Sequence, residues 1–127
     1  MNLTENQKRL LTEFLGECWH EYIKQPPLEK WEIDQGYIQT ALCSCGSHSC
    51  LKSNRTFTTY QDLGDCMGKL VEKGKLADFV EWVLNYAYCN KIILSRREHV
   101  GVAWCWWETL SALDRCQLVA EFLEDRK

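Results

Sequence analysis

The sequence predicts a mainly α domain of the α+β kind, in which a short β-hairpin carrying a zinc knuckle is inserted after the first helix. Three observations point there. Apolar residues recur at helical spacing near the start of the chain, over 63–84 and again over 113–123. Between the first two of these stretches, ligand-type side chains come as two short-range pairs, Cys18 with His20 and Cys43 with Cys45, and β-prone residues lie between the pairs. At 127 residues, 46% hydrophobic and 26% charged, the chain has the size and usage of a single globular domain, 1–127, with the knuckle insert at about 17–57. A chain of this length buries roughly two-thirds of its unfolded surface, so a metal would reinforce a core rather than replace one.

Taken in order, Thr4 is placed to cap a first helix, with Gln7 as its capping-box partner and Leu10, Leu11, Phe14 and Leu15 as its apolar stripe, running to about Gly16. Pro26 and Pro27 forbid helix beyond the first ligand pair. Trp31, Ile33, Tyr37, Ile38 and Leu42, broken by Asp34-Gln35-Gly36, read as a hairpin feeding the turn Cys43-Ser44-Cys45-Gly46. Gly46 suits the positive φ of a metal knuckle. Thr58 or Thr59 caps the next helix, whose stripe is Leu63, Cys66, Met67, Leu70 and Val71 and whose stop is Gly74. Leu76, Phe79, Val80, Val83 and Leu84 mark another helix, ending near Asn90. Ile92-Ile93-Leu94 is compatible with a strand, whereas Val100 to Leu110 leans to helix. Ser111, with Asp114 three residues on, caps a last helix faced by Leu113, Cys116, Val119, Phe122 and Leu123.

Six side chains compete for the four positions of a tetrahedral zinc: Cys18, His20, Cys43, Cys45, His48 and Cys50. A quartet drawn from 43–50 alone is tighter than the usual pairs separated by a longer loop. The split set Cys18, His20, Cys43 and Cys45 is favoured, with His48 or Cys50 as substitutes. Four protein ligands leave no place for water, so the zinc would be structural. Cys66 and Cys116 fall on apolar helix faces and read as small core hydrophobes.

Enzyme signatures are missing. The sequence has no phosphate loop, dinucleotide fingerprint, nucleophile elbow or His-Glu-x-x-His, and His99 beside Glu98 makes no dyad. The reading is a non-enzymatic protein. A formal net charge of −3 weighs against a main role in neutralising phosphates, although Lys52 and Arg55 beside the knuckle allow an alternative as a nucleic-acid-binding zinc module. Trp104, Trp106 and Trp107 crowd into four residues and cannot all face one core, which makes them candidate partner-binding anchors. The first residues lack a basic-then-apolar leader and the longest apolar run, Val102 to Trp107, is far short of a membrane span, so a soluble cytoplasmic protein is expected. In a reducing compartment the eight cysteines read as ligands and thiols rather than disulfides.

The blocks Leu15-Gly16-Glu17-Cys18-Trp19-His20-Glu21, Cys43-Ser44-Cys45-Gly46, Asn54-Arg55-Thr56-Phe57-Thr58-Thr59 and Cys116-Gln117-Leu118-Val119-Ala120-Glu121-Phe122-Leu123 together resemble a group of small zinc-knuckle accessory proteins of tailed bacteriophages and prophages. The resemblance implies a zinc knuckle built on the Cys-x-His and Cys-x-Cys-Gly pairs. It also implies a viral protein made in the host bacterial cell, where it would bind a host or phage protein and could inhibit a host-defence machine such as a CRISPR effector.

Overall fold

The structure, a computed structural model, describes residues 3–21, 23–24, 27–36, 41–43, 45, 53–93 and 100–126. It is mainly helical: α1 (Glu5–Phe14), α2 (Lys30–Asp34), α3 (Tyr60–Glu72), α4 (Leu76–Cys89), α5 (Val100–Thr109) and α6 (Ala112–Asp125), with two-residue strands β1 (Ile23–Lys24) and β2 (Ala41–Leu42). The backbone divides into two compact units. One comprises Met1–Glu17 with Arg55–Lys127, and the other is Cys18–Asn54.

In the larger unit the helices begin where side-chain oxygens replace the missing backbone acceptors. Thr4 accepts from the Gln7 amide while the Gln7 side chain accepts from the Thr4 amide, each at 3.1 Å, Thr59 and Asp62 exchange the same pair of bonds, and Ser111 accepts the Asp114 amide. Their ends share another device. After α1 and α3 the chain turns at Gly16 and Gly74 with φ of +78° and +67°. In each case the following amide reaches back to the carbonyl five residues earlier, Glu17 to Thr12 and Lys75 to Leu70. The same closure follows α4, where Ile92 bonds Ala87 at 2.8 Å, but there Lys91 carries the positive φ of 59°. Ile93 is tucked into a small cluster with Leu84, Ala87 and Ala103.

Helix α6 packs against α1, α3 and α4. Its Cys116, Leu118, Val119, Phe122 and Leu123 meet Leu11 and Phe14 of α1, Leu63, Cys66 and Leu70 of α3, Phe79 and Val83 of α4, and Phe57. Cys66 and Cys116 are both fully buried, and contact with Cys116 together with burial holds the Cys66 thiol well above its ordinary range. From the expected α3 stripe Val71 departs, being 60% exposed.

Two expectations need correction in the smaller unit. Trp31 and Ile33 lie on helix α2 rather than a strand, because Glu32 accepts the Glu29 amide at 3.1 Å and starts a helical turn. A β preference spans only ~1 kcal/mol and is outweighed by such local bonds. A hairpin turning at Asp34-Gln35-Gly36 is therefore absent among the described residues. The observed pairing joins more distant segments, with β1 antiparallel to β2 in the register Ile23 to Leu42 and Lys24 to Ala41. Tyr37, Ile38, Leu94 and Pro26 lie outside the described residues.

Candidate metal centre

The short ladder explains how two ligand pairs meet. Side chains alternate along an extended chain, so residues two apart share a side. Cys18 and His20 precede β1, and Cys43 and Cys45 follow β2, so the antiparallel pairing leaves both ligand pairs at the same end of the ladder. The Cys45 Sγ indeed lies 3.3 Å from His20 Nδ1, and the sulfurs of Cys18 and Cys43 are 3.8 Å apart. All four ligand atoms fall within 4.8 Å of one another.

These separations suit a tetrahedron around one ion. With zinc–sulfur bonds of about 2.3 Å and a zinc–nitrogen bond of about 2.0 Å, the sulfur–sulfur edge is about 3.8 Å and the sulfur–nitrogen edge about 3.5 Å. Cys18, His20, Cys43 and Cys45 thus lie close enough to hold a metal ion, and three thiols with one imidazole are a donor set that zinc accepts.

The surroundings fix the donors. Asn54 grips the His20 backbone from both sides, accepting its N–H at 2.7 Å and donating to its carbonyl at 2.8 Å. Cys43 is 3% exposed. The backbone amide of Cys45, the His20 ring and the Glu21 amide point to its sulfur and pull its pKa down to about 6 against desolvation. The Cys18 thiol moves the other way, up to about 11, through desolvation and the hydrogen bonds it makes with Cys45 and Cys43. Contact with Cys43 raises His20. A divalent ion would allow all the sulfurs to ionise together.

The substitutes His48 and Cys50, the knuckle glycine Gly46 and the basic Lys52 lie outside the described residues, as do Glu98 and His99. Arg55 is described, and its setting differs from that of a phosphate contact. Its Nε donates to Glu17 at 2.8 Å, and its Nη1 reaches Asp65 at 2.6 Å and Asp62 at 3.2 Å. Its charge is spent on this network, which raises its own pKa and lowers that of Asp65. The tryptophans divide: Trp107 is buried at 7% exposure, edge-on to Phe79, while Trp104 and Trp106 are partly buried against the core. Asn54 and Glu17 escaped sequence reasoning, since neither residue type nor spacing marks a side chain that will clamp a backbone or an arginine.

No protein-family model, curated protein or solved structure matches this chain. Among the described residues, no helix is long and apolar enough to cross a membrane.

Proposed function

We propose that this chain is a non-enzymatic, zinc-stabilised accessory protein of tailed bacteriophages that acts by binding another protein, with a host-defence effector as the target class. The observation that carries the first half is the convergence of Cys18, His20, Cys43 and Cys45 within 4.8 Å. Four protein donors close the coordination sphere, so the zinc holds the chain and leaves no site for an activated water. Zinc would tie together a unit whose only described ladder is two residues on each strand. Such a small element is not stable alone in water.

Support for the second half comes from charge and aromatic surface. A formal charge of −3 favours approach to a basic partner, such as a protein built to hold nucleic acid. Trp104 and Trp106, partly buried, retain surface for an anchor, whereas Trp107 has little. The alternative as a nucleic-acid module drew on Lys52 and Arg55, and the Arg55 guanidinium is already matched by three carboxylates. The test is capture of host proteins from a bacterial lysate by zinc-loaded protein, with and without Trp106→Ala. The proposal expects a discrete protein partner, depleted by the variant and indifferent to nuclease. Retention that vanishes with nuclease and falls steeply with salt would establish the nucleic-acid reading instead.

A further inference from the structure

On the same side of α4 as the buried Phe79, Trp82 and Tyr86 line an open pocket of about 340 Å³ together with Glu121, Glu124 and Asp125 of α6. The aromatic wall is part of a longer run of stacked rings, since Tyr86 also stacks on Trp106 at 5.9 Å. Trp82 stacks on Phe79 at 6.3 Å and on Tyr86 at 5.4 Å, meets Phe122 edge-on at 6.1 Å, and donates its indole N–H to Asp125 at 2.6 Å. The indole is thus held from both its face and its edge before any ligand arrives.

No lysine or arginine lines the pocket among the described residues, and the nearby Arg126 guanidinium sits instead over the Phe122 ring at 5.0 Å. Glu121 Oε2 is buried without a hydrogen-bond partner, a condition that costs free energy unless something compensates it. Burial first, then the charges of Glu124 and Asp125, raise the Glu121 pKa against a hydrogen bond with Gln117, and burial, then the Glu121 charge, raises Tyr86. The negative potential at this place is a property of the fold.

Aromatic rings beside carboxylates, with no lysine or arginine in the lining, define a recognisable chemistry. The geometry points to a site for a guanidinium cation, the arginine side chain of a partner polypeptide, stacked on Trp82 or Tyr86 and paired with the carboxylates of α6. Arginine is favoured over lysine because its planar head both stacks on rings and pairs bidentately with carboxylate. Sodium or magnesium would not use the rings, and an uncharged side chain would not use the acids. The site belongs wholly to the helical unit and does not require the metal centre.

The test is a titration of the zinc-loaded chain with N-acetylarginine amide, followed through the Trp82 indole N–H signal in a nitrogen–proton correlation spectrum assigned with Trp82→Phe. N-acetylcitrulline amide, which keeps the shape and lacks the charge, is the matched control. We expect a saturable shift with the arginine probe alone, weakened roughly tenfold in Glu121→Gln and in the solvent-exposed variant Glu124→Gln, with the rest of the spectrum unchanged. An equal response to both probes, no saturable shift at the solubility limit, or undiminished binding by both glutamine variants would overturn the site. None of these outcomes bears on zinc content or on lysate capture, so the earlier reading stands or falls separately.

Discussion

Asn54 holds His20 through both polar ends of its amide, at 2.7 and 2.8 Å, and in doing so fixes where the imidazole can sit. Groups behind the ligands orient them, and their removal typically lowers metal affinity by about 10- to 100-fold. Asn54→Ala is therefore expected to weaken zinc binding by at least about tenfold while leaving one ion per chain, read by competition with a chromogenic chelator. Arg55 works the same way for the helical unit, gathering Glu17, Asp62 and Asp65. Asp65 has its pKa lowered chiefly by the Arg55 hydrogen bond. That stabilisation is fully present above the unfolded value of about 3.9 and is lost as pH falls through the lower folded value. Asp65→Asn should cost roughly 1 kcal/mol at neutral pH, allowing for solvent screening, and urea melts of wild type and variant should draw together as pH falls below about 3.9 and converge once it passes the lowered folded value.

Helix ends are the elements in which local sequence spoke most clearly. Thr4, Thr59 and Ser111 each accept the backbone bond that their position suggested, because a cap is decided within four residues. Trp31 and Ile33 misled for the opposite reason: their side chains favour strands, and the Glu29 to Glu32 contact that starts α2 is not marked by the usual capping residue types. The partner of β1 could not be read at all, since β2 lies beyond α2 in the chain and strand pairing depends on long-range register. One helix end also remains unoptimised. Lys91 occupies the left-handed position that Gly74 fills after α3, at a cost of roughly 1 kcal/mol for a side-chain-bearing residue. Lys91→Gly should raise the denaturation midpoint and Gly74→Ala lower it, each by roughly 1 kcal/mol in chemical melts.

For the molecule as a whole, the helical unit carries an apolar core from Leu11 to Leu123, whereas the unit 18–54 has one two-residue ladder and four clustered ligands. The ligand pairing was legible because cysteine and histidine spacing reports chemistry directly. The aromatic and acidic pocket was not, because Trp82 and Glu121 meet only when α4 and α6 pack. Structural zinc in small fingers contributes an apparent ~10–16 kcal/mol, comparable to the whole ~5–15 kcal/mol stability of a domain. Removing metal with a strong chelator is thus expected to raise hydrogen exchange sharply across 18–54, with much smaller changes in α3 and α6.

The most direct measurement is zinc-edge X-ray absorption on the purified chain. The account predicts one zinc per polypeptide with three sulfur neighbours at about 2.3 Å and one nitrogen at about 2.0 Å, and loss of that signature in Cys43→Ser. A fully folded chain without metal, or a zinc shell containing water oxygen in place of a protein donor, would contradict it.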